Sequence, residues 1–228
     1  MLVAIMGAVK RRGPSLPDRD ICAGAIQVCC VILGHLALPY GSTDNPAWYR
    51  IHIECAETIA AAGGAAAVVA AMADHPASAA VSASGCGALC HIGLESLQAA
   101  TSVISSGGLL AVVTALRVHW ASVDAPVASF AVRALKCVLG IVKYYSDITI
   151  IAPWIKEAID DGCLPMLLAV LRSRCKDLLL QEYVPEIFRN FAESSPANRA
   201  AVVAAGGGEY LHVVAAAHSA PSLTEPLP

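Results

Sequence analysis

Residues 62–75 read Ala-Gly-Gly-Ala-Ala-Ala-Val-Val-Ala-Ala-Met-Ala-Asp-His, and the glycine pair in this stretch recurs along the chain. Gly63-Gly64 returns as Gly107-Gly108, as Gly162-Cys163 with the second glycine replaced, and as Gly206-Gly207. The second members are 44, 55 and 44 residues apart, so the middle interval equals one period plus an insertion. A period in the forties is typical of solenoids built from helical units. The position of a histidine or cysteine within the repeat therefore affects how its role is interpreted.

Each glycine pair is followed by one stripe of an amphipathic helix. Counted from the second glycine position, offsets 4, 5 and 8 are apolar in three units. This spacing predicts a medium-length helix with one buried face. The nine residues are Val68, Val69, Met72, Val112, Val113, Leu116, Leu167, Leu168 and Leu171.

A longer helix is predicted after a short polar break, because positions 0, 4, 7, 8 and 11 of a second template are apolar or small in each unit. Three units fill this template, and a fourth segment (Ile21, Ala25, Val28, Cys29 and Ile32) fits it as well. The fifteen residues of the three units are Val81, Gly85, Ala88, Leu89, Ile92, Val127, Ala131, Ala134, Leu135, Val138, Leu180, Val184, Ile187, Phe188 and Phe191.

A third, shorter helix is predicted ahead of each glycine pair, over residues 57–62, 101–106, 156–161 and 198–205. The glycines would end that helix and turn the chain sharply into the next one, which glycine does at little steric cost. A phosphate-binding loop is the alternative for such glycines. No Gly-Lys-Ser/Thr follows them and no strand pattern precedes them, so the sequence favours the turn.

The segment Asn198-Arg-Ala-Ala-Val-Val-Ala-Ala-Gly-Gly207 resembles the armadillo repeat, as do residues 62–75 and Gly85-Cys-Gly-Ala-Leu89. The resemblance implies an all-α fold: a right-handed α-solenoid of armadillo-like three-helix repeats, with about four and a half units. We expect it to span residues 1–218, followed by a flexible Pro-rich tail at 219–228. In this family the third helices line a concave surface that binds other proteins. The resemblance therefore implies a non-catalytic protein-interaction scaffold without a cofactor.

Peptide-binding members of this family carry an asparagine ladder on the third helix. The corresponding positions here are Val31, His91, Cys137 and Asn190, of which only Asn190 matches. The tryptophans that accompany the ladder in importin-type members are also missing. These departures from the family's pattern favour a folded partner or a helix over an extended import-type peptide. The expected concave strip consists of Gly87, His91, Arg133, Cys137, Glu186, Arg189 and Asn190.

Two stretches break the period, near residues 39–54 and 143–151. They hold four of the six tyrosines, and two tryptophans lie in or beside them. Aromatic insertions on a regular scaffold suit contact surfaces. They equally suit a cover over a misfit between neighbouring repeats, and the sequence leaves both readings open. The aromatic residues are Tyr40, Tyr49, Tyr144, Tyr145, Trp48 and Trp154.

Composition narrows the classes of function. Hydrophobic residues make up 57% and charged residues 14%, and the net charge is -3 with a pI near 6.1. The chain therefore lacks the basic face that nucleic-acid binding requires, and we expect no nucleic-acid partner. Nine cysteines, an odd number without a Cys-x-x-Cys motif, suit buried thiols in a reducing compartment, the cytosol or the nucleus.

A membrane-embedded protein is one alternative. Residues 21–38 are almost uncharged over 18 positions, which is long enough to span a bilayer. The repeat template accounts for the same residues without lipid, and we expect no membrane contact.

Three histidines raise the question of a metal site. His75, His119 and His218 all stand at offset 11 from their glycine, where the third unit has Arg174. A basic residue at the end of a helix lies favourably at the negative end of its macrodipole. The shared position therefore predicts an architectural role and no metal.

Two cysteines on one predicted helix leave a metal-binding or enzymatic alternative. Cys86 and Cys90 are four residues apart and His91 follows, but a zinc site would need two more ligands from other helices. The equivalent positions in the next unit are Val132 and Lys136, so the pair does not recur. No Gly-x-Ser-x-Gly motif and no cysteine–histidine signature is present, and we predict no catalytic residues.

The two ends are expected to lack partner layers. The first unit opens inside its medium helix, and the last unit closes near residue 218. Because each repeat buries its apolar face only against its neighbours, we expect an excerpt of a longer solenoid or one without natural caps. Self-association through these ends is the expected consequence. The apolar residues concerned are Val3, Ile5, Met6, Leu211, Val213 and Val214.

Overall fold

A computed structural model describes residues 30–32, 46–94, 96–120 and 126–211 of the protein. Within these ranges the regular secondary structure is helical and no strand occurs. The predicted all-α class is confirmed. The predictions for residues 21–29, for His218, for the terminal tail and for the apolar N-terminal end lie outside the described residues.

The described chain contains ten α-helices and one 3-10 helix, with further helical residues at 30–32 and 208–211. The helices are α1 (Pro46–Ala61), α2 (Gly64–Asp74), α3 (Ala79–Gly93), α4 (Leu97–Ser105), α5 (Gly108–His119), α6 (Val127–Tyr145), the 3-10 helix Ile148–Ile151, α7 (Ala152–Asp160), α8 (Cys163–Ser173), α9 (Leu178–Ser194) and α10 (Pro196–Ala204).

The first glycine of each repeated pair makes the predicted turn. Gly63, Gly107, Gly162 and Gly206 have φ angles of 78°, 82°, 89° and 89°, a left-handed conformation that only glycine adopts without strain. The next residue begins a new helix in the first three cases. The second position does not need a positive φ, which explains why Cys163 can replace a glycine there.

Polar side chains cap several of the helices between these turns. Ser78 accepts a hydrogen bond from the amide of Val81, and Asp177 accepts from the amides of Leu179 and Leu180. Such caps satisfy backbone donors that have no partner inside the helix. The long helices α3 and α9 therefore begin where the polar breaks of the sequence predict.

The predicted apolar faces are confirmed by burial. All fifteen template positions on α3, α6 and α9 are buried, and so are eight of the nine positions on α2, α5 and α8. Val69 is the half-buried exception and packs against the core from its rim. The two templates thus identify the core-facing sides of six helices.

Helices that are three apart in chain order pack against each other. Helix α2 contacts α5 and α5 contacts α8, while α3 contacts α6 and α6 contacts α9. Helix α1 likewise contacts α4, and α7 contacts α10. Five side-chain hydrogen bonds cross these contacts, and each joins residues 39 to 46 apart in sequence. One repeat length therefore separates the partners in sequence.

Two boundaries differ from the sequence interpretation. Helix α1 begins at Pro46, so residues 46–54 of the stretch interpreted as an insertion are helical. Proline is well tolerated in the first turn of a helix because the amide it lacks would have no partner there. Helix α6 runs to Tyr145, and the rest of the second insertion forms a turn and the 3-10 helix.

Candidate functional site

Helices α3, α6 and α9 form a contiguous row, here called the third-helix row. The apolar template positions of α6 and α9 face the core and polar side chains lie on their other sides, whereas α3 is buried over most of its surface. Every residue of the predicted concave strip lies on one of these three helices: Gly87 and His91 on α3, Arg133 and Cys137 on α6, and Glu186, Arg189 and Asn190 on α9.

The strip residues differ in how accessible they are. His91, Arg133, Cys137, Glu186 and Arg189 are half-buried, whereas Gly87 and Asn190 are buried. A Cβ at Gly87 would lie 3.6 Å from Cδ1 of Phe130, so the ring of Phe130 lies over this glycine. Sequence reasoning missed Phe130 because it falls between the template positions of α6.

The border between α6 and α9 is charged. Nζ of Lys136 lies 4.0 Å from Oε2 of Glu186 and 5.0 Å from the ring centre of Tyr183. Lys143 on α6 forms a second ion pair with Glu193 on α9, so the cation again lies on α6 and the anion on α9. Partly exposed pairs of this kind contribute little to stability, about 0–1 kcal/mol each. This side of the row therefore carries both positive and negative charges, with the cations of the two pairs on α6 and the anions on α9.

Asn190 is the most unusual residue of the strip. Its side chain is 1% exposed, yet neither the amide nitrogen nor the amide oxygen has a hydrogen-bond partner among the described residues. A buried amide left without partners costs about 1–3 kcal/mol, and such groups are rare in folded proteins. The sequence identified the position but gave no sign that its amide would lack partners.

Two thiols meet where α3 packs on α6. Sγ of Cys90, which is 1% exposed, donates to the backbone oxygen of Arg133 at 3.9 Å. Hydrogen bonding with Cys137 and burial raise the pKa of the Cys90 thiol far above its ordinary value. The neighbouring Cys90 thiol lowers the pKa of Cys137, and the nearby charges of Lys136 and Arg133 lower it further.

The two described histidines at offset 11, His75 and His119, lie at helix ends, as predicted. His119 is in the last turn of α5, and its Nε2 is 2.9 Å from the carbonyl oxygen of Pro76, in the polar break of the preceding unit. His75 and Arg174 are the C-cap residues of α2 and α8. Among the described residues, no group of three or more His, Cys, Asp or Glu side chains is arranged to hold a metal ion.

An apolar groove of about 380 Å³ lies between α2 and α5. It is lined by Met72, Ala73, Ala111 and Thr114, among others. One period later the position of Ala73 is taken by Arg117, whose Nη1 lies 2.9 Å from Oδ1 of Asp161. This ion pair joins α5 to the C-cap residue of α7, next to the corresponding place between α5 and α8.

The described part of the chain contains no single helix that is long and apolar enough to cross a membrane. Two bent helix pairs meet the length and composition test together: residues 50–61 with α2, bent by 60°, and α4 with α5, bent by 63°. The apolar segment 21–38, the candidate membrane span in the sequence, lies outside the described residues except for positions 30–32.

The whole chain was compared with known proteins. No family model matches it, and no curated protein matches it either. Among solved structures, it is similar to an engineered protein from the Northeast Structural Genomics Consortium, with a TM-score of 0.61 and 20% sequence identity. The match covers 92% of this chain and 70% of the engineered one. At this identity the likeness concerns the fold alone.

Proposed function

We propose that the protein is an armadillo-like, right-handed α-solenoid that binds a partner protein along the third-helix row and performs no catalysis. The solenoid is supported by the packing of helices three apart and by hydrogen bonds that each span about one repeat. The free, mostly buried cysteines of the described chain support a reducing compartment, the cytosol or the nucleus.

The observation that carries the binding proposal is the buried amide of Asn190. Its nitrogen and oxygen are without hydrogen-bond partners, and the half-buried polar residues Glu186 and Arg189 flank it on α9. A partner that supplies both a donor and an acceptor would remove the cost of the unsatisfied amide. Asn190 is 1% exposed, so binding at its amide requires the residues that cover it to move.

The charges beside this amide limit what the partner can be. Arg133, Lys136 and Arg189 are cationic and Glu186 and Glu193 are anionic, so the row offers both signs within a few turns of helix. A folded protein surface or a helix with mixed charge is complementary to this pattern. A uniformly acidic or basic peptide would meet like charge at some of these positions.

Quantitative affinity purification with the full chain as bait tests the proposal. We expect the double variant Arg133→Glu/Asn190→Ala to lose at least one partner that the wild type retains. The matched control is Arg199→Glu, the same charge reversal on an exposed residue of α10 outside the row, which should retain every partner. Circular dichroism would verify that both variants stay helical.

Unchanged recovery of every partner by the double variant would refute the assignment of the third-helix row. A second variant, Asn190→Leu, separates binding from folding. It removes the unsatisfied amide at similar volume, so the stability should be unchanged or higher while partner binding is lost. Equal losses for Asn190→Leu and Arg199→Glu would also contradict the proposal.

A further inference from the structure

Helices α3 and α6 approach each other closely where their cysteines lie. A Cβ at Gly93 of α3 would be 2.9 Å from Cγ2 of Val138 on α6, closer than real Cβ atoms normally come. Cys90 is one turn before Gly93, and Cys137 directly precedes Val138. The absence of a side chain at Gly93 therefore brings the backbones together beside the two cysteines.

The thiol of Cys90 is directed at the turn of α6 that carries Cys137. Its Sγ lies 3.9 Å from the carbonyl oxygen of Arg133, four residues before Cys137. That carbonyl accepts the backbone amide of Cys137 in a regular helix, so the sulfur of Cys90 sits beside Cys137. The neighbouring Cys137 side chain is also the largest influence on the pKa of the Cys90 thiol.

The two sulfurs have different surroundings. Cys137 is half-buried and is surrounded by the cations Lys136 and Arg133, with Glu186 as the opposing charge. Cys90 is buried and faces Cys86 and Arg133. A thiolate is stabilised by nearby cations and reacts when it is accessible, whereas a buried neutral thiol does not react with solutes directly.

We propose that Cys137 is a site of oxidation by hydroperoxides and that Cys90 is the thiol that converts the product into a disulfide. The thiolate of Cys137 attacks one peroxide oxygen, an S–O bond forms and the O–O bond breaks. The departing hydroxide takes a proton and leaves as water, and Cys137 becomes a sulfenic acid. The proposal stands independently of any partner protein.

The second step joins the two helices. The sulfur of Cys90 attacks the sulfur of Cys137, an S–S bond forms and the S–O bond breaks. The leaving hydroxide takes the proton of Cys90 and departs as a second water. With hydrogen peroxide, two thiols and one peroxide give one disulfide and two waters. With an alkyl hydroperoxide the products are one disulfide, one water and one alcohol. The product is a covalent link between α3 and α6 inside the third-helix row.

Mass spectrometry of the full chain tests the proposal directly. The reduced protein is treated with a small excess of hydrogen peroxide at neutral pH, free thiols are then blocked with N-ethylmaleimide, and the protein is digested. We expect a peptide pair joined through Cys90 and Cys137, a mass loss of about 2 Da and the loss of two thiols per chain. Dithiothreitol should restore both thiols.

Three variants sharpen the result. In Cys90→Ala the sulfenic acid of Cys137 should persist and be trapped by dimedone. In Cys137→Ala, Cys90 should stay reduced. Cys175→Ala removes an exposed thiol just beyond the end of α8 and should form the link as the wild type does. Oxidation of Cys175 while Cys90 and Cys137 both remain reduced in the folded wild type would overturn the proposal.

Discussion

Ala158 and Cys163 are a compensating pair at the third glycine turn. In the other three turns a β-branched residue stands five positions before a glycine, and there an added Cβ would collide with it. At Gly108, for example, the Cβ would lie 2.6 Å from Cγ1 of Val103. The third turn has the smaller Ala158 at this position, and the Cys163 side chain there is fully buried. The three other pairs are Ile59 with Gly64, Val103 with Gly108 and Val202 with Gly207.

This relationship predicts a strong coupling between the two positions. Ala158→Val should lower the free energy of unfolding by about 1–3 kcal/mol, because the added methyl groups overpack the site next to Cys163. Adding Cys163→Gly recreates the combination of the other turns and should recover part of that loss. Urea denaturation of the two single variants and the double variant gives the coupling energy. Strictly additive losses would contradict the steric explanation.

Gly162, in the left-handed conformation, and Gly140, inside a helix, should respond to alanine with opposite signs. Nothing lies within 4 Å of an added Cβ at Gly162 or at Gly140, so packing does not distinguish them. Gly162 has a φ of 89°, and Gly162→Ala should destabilise the fold by about 1–2 kcal/mol. Gly140 lies inside α6, and Gly140→Ala should stabilise it by about 0.5–1 kcal/mol. Melting temperatures that shift in the same direction would rule out backbone conformation as the cause.

Two histidines at the same repeat position should differ in their contribution to stability. His119 is buried and its ring nitrogen bonds the carbonyl of Pro76, whereas His75 is half-buried at the C-cap of α2. His119→Ala should therefore cost about 1–2 kcal/mol, from the lost hydrogen bond between units and the lost packing. His75→Ala is the matched control and should cost less than half as much in the same denaturation assay. The reverse order would show that the bond to Pro76 is not important.

The fold class could be predicted from the sequence because the chain is built from repeats. Gly63, Gly107, Gly162 and Gly206 indicated the turns, and all four adopt the expected conformation because no other residue type does so without strain. The apolar templates indicated buried positions because apolar residues at helical spacing share one side of a helix, although α3 is also buried outside its template, at Cys86, Gly87 and Cys90. Both signals are local, so a single sequence carries them.

The features that sequence reasoning missed depend on contacts between units. Cys90 aligns with Lys136 in the repeat, whereas its Sγ lies at the turn of α6 that carries Cys137, a contact between units that the repeat numbering does not show. The unpartnered amide of Asn190 depends on where other side chains end. The compensation between Ala158 and Cys163 was visible in the aligned units, and a search for paired substitutions five residues apart would have found it.

The buried thiol of Cys163 predicts a loss of stability at alkaline pH. Burial, with the nearby charge of Asp161, raises its pKa from 9.0 to about 12. Between these values the unfolded chain releases the proton and the folded chain retains it, so the free energy of unfolding falls as pH rises above 9. From pH 8 to pH 10 the wild type should lose about 1 kcal/mol more than Cys163→Ala, although the variant starts from a lower stability. Denaturation at both pH values measures the difference, and titrating lysines and tyrosines cancel in the comparison. Cys175→Ala removes an exposed thiol and should follow the wild-type slope. If Cys163→Ala shows the wild-type slope as well, the thiol titrates equally in both states and the prediction fails.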